Sequence, residues 1–233
     1  MKRMSVVFWT VLVVACAAAV VKLVLFATAG PVPEGYPADP PTGAGWIDLL
    51  DAEHAENWEN ITDDTDLFAI EDGILHIFGA SLPPLRYAGY TGREFADFDL
   101  HLEFKVTWRA NSGVFLRAHR NDPVYRGWEV QVLDDHGQPP NKNGSGAIYD
   151  VVTPMFNMAR PRGTWNSYDI SVTGTKVSVV MNGWKVIDAD FAQMTEPIGK
   201  FEVPFAEMPL SGIIALQDHG GEVWYRNIRV RPR

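Results

Sequence analysis

Two nearby segments of the sequence place polar side chains at alternate positions, in a pattern that could support acid–base chemistry. The first alternates aliphatic side chains with Phe115 and Arg117, and the second alternates valines with Glu129 and Gln131. Because side chains alternate between the two faces of a β-strand, we expect these polar groups to lie on sheet faces. A carboxylate and a guanidinium that meet there could remove a proton and stabilise developing negative charge.

The order Asp-His-Gly occurs twice, at 135–137 and at 218–220, each time after the predicted end of a strand. Each copy can be a tight turn, in which Asp caps the backbone and Gly adopts a positive φ. Alternatively, the two turns bring His136 and His219 to one rim, as ligand contacts or as ligands of a divalent metal. The spacing does not require a metal, so both interpretations stay open.

The elements that must position these residues are short strands. Alternating apolar residues and two-residue turn signals predict a hairpin around Asp72-Gly73 and a three-stranded meander with turns at Thr173-Gly174 and Asn182-Gly183. A strand is predicted over 98–108, and two more over 211–232. We find no pattern for a helix of three turns after residue 29. Many short strands with regular turn signals predict an all-β sandwich or barrel.

The N-terminal region differs in composition from the rest of the chain. A basic start precedes an apolar run over 6–26, and small residues follow it. This pattern predicts that 1–29 is a secretory signal peptide or an uncleaved membrane anchor, with a lipoprotein signal at Cys16 as a weaker alternative. Each option places the C-terminal domain outside the cytoplasm, periplasmic or secreted. Residues 30–45 contain five prolines and predict an extended linker, which leaves one domain at 46–233.

Charge and cysteine content restrict the function of that domain. Without the three basic residues of the leader, the linker and the domain together (30–233) contain 17 basic and 29 acidic residues, a balance of −12. Such a surface is poorly suited to nucleic acid, and any membrane contact is expected only through the N-terminal segment. Cys16 is the only cysteine, so the domain contains no disulfide and no thiolate zinc site. A neutral, hydroxyl-rich ligand is compatible with this composition.

Six motifs resemble, in order, the 3-keto-disaccharide hydrolase domain family. They are "NSGVFLRA", "GWEVQVLD", "GAIYD", "RPRGTWNSYDI", "NGWKVI" and "LQDHGGEVWYRNIRVRP", and the resemblance covers nearly all of 46–232. Members of that family include 3-keto-glycoside lyases and 2-hydroxy-glucal hydratases. The resemblance implies a concanavalin A-like jelly-roll, with a convex and a concave antiparallel sheet and a carbohydrate substrate bound on the concave one.

On such a concave sheet, one polar cleft would collect the side chains that face outward. The expected catalytic residues are Glu129, His136 and Arg117. The expected substrate contacts are Glu103, Gln131, Asp134, Trp128, Tyr149, Asp218 and His219, with Phe115 and Trp108 as further stacking surfaces. Two structural alternatives stay open: Arg117 and Glu129 could form a cross-strand ion pair, and Tyr149 could be a core residue.

The strand that contains Glu129 argues against ordinary double-displacement glycoside hydrolysis. Retaining glucanases of the same architecture typically carry Glu-x-Asp-x-Glu on one strand, whereas this chain has Gln131 and Leu133 at the second and third positions. The pair of carboxylates that retaining enzymes hold about 5–5.5 Å apart is therefore missing from this strand.

The chemistry implied by the resemblance needs a single base. A ketone at C3 of the sugar acidifies the hydrogen on C2, so a base can form an enolate, and the glycosidic oxygen then leaves C1. Glu129 or His136 is expected as the base and Arg117 as the enolate clamp. His136, Asp134 or His219 could be the acid or a metal ligand, and a divalent metal could replace Arg117 as the electrophile.

Two other functions remain alternatives to an enzyme. The same fold could be a carbohydrate-binding module that stacks aromatic side chains on sugar rings without a working base. The chain could also be a membrane-tethered interaction domain, although polar side chains in the middle of strands argue against that function.

Overall fold

The computed structural model describes residues 39–63, 65–79 and 85–233. Within these residues the chain forms thirteen β-strands and three short 3-10 helices, so the predicted all-β class is confirmed. The predicted leader, 1–29, and the first part of the predicted linker, 30–38, lie outside the described residues. No helix in the described ranges is long and apolar enough to cross a bilayer.

The strands form two antiparallel sheets. In chain order the strands are β1 (Ile47–Asp48), β2 (Trp58–Asn60), β3 (Phe68–Glu71), β4 (Ile74–Ile77), β5 (Arg86–Phe95), β6 (Phe98–Val106), β7 (Asn111–Ala118), β8 (Trp128–Leu133), β9 (Asn166–Thr173), β10 (Lys176–Met181), β11 (Trp184–Asp190), β12 (Gly212–Asp218) and β13 (Val223–Pro232). The 3-10 helices are Ala55–Asn57, Phe191–Gln193 and Phe205–Glu207. The larger sheet has the order β11-β10-β9-β6-β13-β4-β3 with β1 paired on β13, and the smaller has the order β2-β5-β12-β7-β8.

The apolar positions of the alternating strands fill one core between the two sheets. From the larger sheet, β6 contributes Leu100, Leu102 and Phe104, each at most 1 % exposed. From the smaller sheet, Val114 and Val130 face them from β7 and β8 and are fully buried. The polar residues between these positions must therefore lie on the outer faces of the sheets.

Two of the three predicted hairpin turns are confirmed, and the third lies one residue later, at Gly174-Thr175, because Thr173 ends β9. Asp72 and Gly73 join β3 to β4 with φ values of 51° and 72°, and Asn182 and Gly183 join β10 to β11 with 49° and 83°. Positive φ at both central residues gives a turn whose twist matches that of the flanking strands.

Arg117 ties the two sheets together at one end of the sandwich. Its φ is 49°, at a point where the register between β7 and β12 shifts. Its Nε donates to Ala96 O (2.8 Å) and its Nη1 to Gly174 O (2.7 Å), while Nη2 bonds Asp97 Oδ1 (3.0 Å). Residues 96 and 97 lie in the crossover between the sheets, and Gly174 lies in the β9–β10 turn, so one guanidinium holds both connections.

We predict that Arg117→Ala lowers the free energy of unfolding by about 2–4 kcal/mol, because Arg117 is only 2 % exposed and its loss removes three hydrogen bonds together with the packing of a buried side chain. Chemical denaturation measures the change. The matched control is Arg120→Ala, since Arg120 pairs with Glu59 where both side chains are about half exposed and should lose at most about 1 kcal/mol. Equal losses in the two variants would contradict this role of Arg117.

Candidate active site

The outer face of the smaller sheet carries the polar residues of β7 and β8. Glu129 pairs with Phe115, and Gln131 with Gly113, across the two strands. Because paired residues point to the same face, these four positions form one surface. Val130 and Val132, between them, point into the core.

Glu129 lies almost fully buried on this outer face. Its side chain occupies the space above Gly113, where an added Cβ would lie only 2.0 Å from Glu129 Oε1. The residue is 5 % exposed, and burial raises the pKa of its carboxyl to about 8, with the positive charge of Lys200 acting in the opposite direction. A carboxyl group with such a pKa can exist in either protonation state near neutral pH.

A line of amide groups connects Glu129 to His219. The Gln131 Nε2 bonds Asn111 Oδ1 at 3.1 Å, and Asn111 Nδ2 lies 3.0 Å from His219 Nδ1. When the Gln131 carboxamide is turned by 180°, its nitrogen lies 2.9 Å from Glu129 Oε1 and its oxygen 3.1 Å from Asn111 Oδ1, so the Asn111 amide must turn with it to keep the line of bonds. A protonated Glu129 can therefore donate to the amide oxygen, and an ionised one can accept from the amide nitrogen.

Lys200 supplies the positive charge of this surface. Its Nζ lies 4.6 Å from the centre of the Tyr149 ring and 5.4 Å from that of Phe201. Burial lowers the pKa of Lys200, while the carboxylates of Glu129 and Asp150 act to raise it. A cation held over aromatic faces and facing a buried acid is available to stabilise negative charge on a ligand.

Two loops place Lys200 and Tyr149 beside Glu129. The loop after β8 runs along that strand, where Tyr149 N donates to Glu129 O (3.0 Å). Asp150 Oδ2 accepts from the backbone N of Lys200 (2.6 Å), which fixes the loop after β11 to the loop after β8. Gly199 permits this approach, since a Cβ there would lie 2.2 Å from Asp150 Oδ2.

An apolar cluster borders the polar surface on the neighbouring strands. Tyr87, Phe115, Ile213 and Ala215 pack together there, and the rings of Tyr87 and Phe115 meet edge to face at 5.2 Å. An apolar area beside convergent polar groups is typical of sites that bind small molecules.

Of the residues predicted from the sequence, the structure brings together Glu129, Gln131, Tyr149 and His219. Their common position follows from strand parity and from the loop that runs along β8. Lys200, Asn111 and Tyr87 also belong to this surface, although the sequence did not assign them to it. Their signals were weak: Lys200 lies in a long loop, and Asn111 has the appearance of a turn residue.

Four predicted positions are corrected by the structure. Trp128 lies in the core, where it packs against Phe191 at 5.3 Å, because it precedes the outward-facing Glu129 in a strand. Asp218 also points away from the site, since it follows an outward-facing residue, and its carboxylate pairs with Arg86 at 2.8 Å.

The other two corrections concern Arg117 and Glu103. The guanidinium of Arg117 lies at the end of β7 opposite to Gly113, in the contacts between the sheets given above, so it is not a clamp beside Glu129. Glu103 lies on β6 in the larger sheet, where Arg226 Nε (2.9 Å) and Asn227 Nδ2 (2.8 Å) donate to it. It therefore cannot share a cleft with Glu129.

Asp134 and His136 lie beyond the end of β8 and have other partners. Asp134 Oδ2 accepts from Arg109 N (2.9 Å) and pairs with Arg162 (3.1 Å), and His136 Nδ1 lies 2.6 Å from Ala159 O. Within the described residues no hydrogen bond joins either of them to Glu129. No group of three or more histidine or carboxylate side chains in these ranges could hold a metal ion.

Comparisons with known proteins agree with this architecture. A 3-keto-disaccharide hydrolase of Bacteroides thetaiotaomicron is 28 % identical over 226 residues, covering 80 % of this chain and 78 % of that protein. A crystal structure from Parabacteroides distasonis, provisionally described as a glycosyl hydrolase, is 28 % identical with a TM-score of 0.70 and covers 81 % of this chain and 99 % of its own.

A Bacillus subtilis protein with a galectin-like fold matches with a TM-score of 0.56 at 12 % identity, over 81 % of this chain and 96 % of its own, which indicates the fold alone. The predicted jelly-roll is thus confirmed. The family model of the 3-keto-alpha-glucoside-1,2-lyase-like domain matches residues 45–231, a range that contains both sheets and the surface around Glu129. The chain belongs to the family of 3-keto-alpha-glucoside-1,2-lyase-like domains.

Proposed function

We propose that this chain is an enzyme that cleaves 3-keto-glycosides by removing the proton on C2 and expelling the glycosidic oxygen from C1. Membership of the family and the relative named 3-keto-disaccharide hydrolase support a carbohydrate substrate. The observation that carries the proposal is the buried Glu129, whose pKa is raised to about 8 on a surface that also holds Lys200.

In this mechanism, the carboxylate of Glu129 takes the C2 proton, and the electrons of the C–H bond move into an enolate whose oxygen is at C3. A base with a pKa near the working pH suits this step. The ammonium group of Lys200 then stabilises the enolate oxygen, which is the role expected of Arg117 from the sequence. Gln131 keeps a hydrogen bond to Glu129 before and after the proton arrives.

Collapse of the enolate breaks the bond between C1 and the glycosidic oxygen and leaves a C1–C2 double bond conjugated with the ketone. The departing oxygen needs a proton, which the newly protonated Glu129 can deliver because C1 and C2 are adjacent; His219 is the second candidate donor. Addition of water to C1 of the enone gives net hydrolysis.

We also propose that the enzyme works outside the cytoplasm, secreted or anchored, which the apolar N-terminal segment supports.

A carbohydrate-binding module would not need a buried carboxyl group. Sugar binding by the outer face could use Tyr149 and the amides alone. The raised pKa of Glu129 costs folding free energy and suits a base, whereas a binding module gains nothing from it. The enzyme is therefore the better supported function.

We expect Glu129→Gln to lower kcat/KM for 3-keto-trehalose or a 3-keto-aryl glucoside about 10²–10⁴-fold, because the carboxamide cannot accept the proton. Release of the aglycone measures turnover. Glu71→Gln, on the exposed edge strand β3, is the matched control and should retain activity. Undiminished turnover in Glu129→Gln would remove this residue as the base.

The pH dependence of the reaction follows from the raised pKa of Glu129. The base must be ionised, so kcat/KM should rise with pH up to a midpoint at about 8. Since Lys200 lowers the pKa of Glu129, Lys200→Met should move this midpoint upward and also reduce the plateau. Lys185→Met, at an exposed position, should leave the profile unchanged. A midpoint that does not move in Lys200→Met would contradict the coupling.

The raised pKa of Glu129 should also make the folding stability depend on pH, which can be measured without substrate. The folded-state pKa of Glu129 lies above the unfolded value, so its contribution to stability is lost as pH rises from about 4.5 to about 8. Glu129→Gln cannot ionise and should therefore gain up to about 4 kcal/mol relative to the wild type across this interval.

Glu103→Gln should behave in the opposite way. Burial disfavours ionised Glu103, but its partners outweigh burial and lower its pKa, so its stabilising effect is present above the unfolded pKa and lost in acid. The Gln variant should be less stable than the wild type at neutral pH, with a smaller deficit in acid. Denaturation curves for both variants across pH provide the measurement, and parallel changes would contradict the assignment.

A further inference from the structure

The outer face of the larger sheet, opposite to the Glu129 surface, contains a groove with a volume of about 390 Å³. Its floor is built by side chains of three neighbouring strands, and Trp46 lies on its rim. The floor residues are Asp99 and His101 from β6, Asp169 and Ser171 from β9, and Ser178 from β10. Grooves of this volume accommodate small ligands.

The segment that precedes β1 forms the wall of the groove. Residues 39–45 contain no strand, and Arg229 Nη1 donates to Pro41 O (2.9 Å), which holds the segment against β13. Arg231 lies over the ring of Trp46 at 4.9 Å. These contacts fix the indole at the rim, so that an otherwise open sheet face becomes a groove with an aromatic side.

The charged groups of the floor are already paired. Asp99 Oδ2 accepts from Arg231 (2.7 Å), and Arg233 also bonds this carboxylate. Asp169 Oδ1 lies 2.7 Å from His101 Nδ1. Burial disfavours the charged form of His101, but Asp169 and the neighbouring Glu103 outweigh burial and raise its pKa. The carboxylates thus have cationic partners and do not require a cationic ligand.

The paired groups keep the capacity to bond hydroxyl groups. Asp169 uses one oxygen for His101, and its side chain remains 42 % exposed. The hydroxyl of Ser171 donates to Asp99 Oδ1 (2.5 Å) and accepts from Arg233 Nη2 (2.8 Å), so one lone pair remains to accept from a ligand. Fixed acceptors and hydroxyls next to an indole match a sugar ring, which has hydroxyls on its edge and C–H groups on its face.

We propose that this groove is a second, non-catalytic carbohydrate site that binds one neutral pyranose unit between Trp46 and the floor of Asp169, Ser171 and Ser178. The two sites lie on the outer faces of different sheets, so a glycan chain or a glycan surface could be held at one while the other acts on it. This proposal does not depend on the chemistry of Glu129.

The test is a titration of the full-length chain with methyl α-glucoside and with trehalose, in which saturation-transfer NMR measures binding. Neither sugar carries a ketone, so turnover does not interfere. Trp46→Ala removes the indole, and Ser178→Leu fills the floor; each should weaken binding about tenfold or more. Leu210→Ala removes an apolar side chain that is 55 % exposed and does not line the groove, and it should have no effect.

Three results would overturn the proposal. The first is unchanged binding in both Trp46→Ala and Ser178→Leu. The second is loss of binding in Glu129→Gln with no change in the groove variants, which would assign the sugar to the opposite face. The third is binding of glucosamine alone, which would indicate a cation site. Turnover of the 3-keto substrate is measured in the same variants. Because turnover tests the Glu129 site and sugar binding tests the groove, failure of one proposal can be distinguished from failure of the other.

Discussion

The site depends on one constraint, which is the burial of a carboxyl group on the outer face of a β-sheet. A charged carboxylate that leaves water loses solvation free energy that only charges, donors or protonation can restore. Glu129 has Lys200 as its positive neighbour and the Gln131 amide as a hydrogen-bonding partner. Three features hold this carboxyl in place. They are the space above Gly113, the loop along β8 and the contact between Asp150 and Lys200.

The contrast with Glu103 shows how surroundings decide the chemistry of a buried acid. Both glutamates are at most 5 % exposed. Glu103 receives direct bonds from Arg226 and Asn227, so it is held ionised and acts as a structural anion. Among the described residues no arginine bonds Glu129, so it can exchange a proton. The two sheets thus use the same residue type for architecture on one face and for reactivity on the other.

Strand parity could be predicted from the sequence, but sheet membership could not. Alternation correctly assigned Glu129 and Gln131 to an outer face, and Asp-Gly and Asn-Gly signals located the hairpin turns. The same parity places Trp128 in the core, since neighbours in a strand face opposite sides. Glu103 was misplaced because pairing of β6 with β13 joins residues more than a hundred positions apart, and no local pattern reports that. The prediction of Arg117 as a clamp was wrong because a register shift changes the direction of its side chain.

The contacts of Arg117 make the sandwich mechanically asymmetric. At its end, a single side chain fastens the crossover at 96–97 and the β9–β10 turn to β7. The opposite end of β7 contacts the turn between β12 and β13, where Asn111 N donates to Gly220 O (2.8 Å), and the long loop after β8, where Asp134 N donates to Ala110 O (3.0 Å). Deformation that admits a bulky ligand should therefore be confined to those loops, while the spacing of the sheets stays constant. Loop grafting between relatives could then alter ligand preference without disturbing the scaffold.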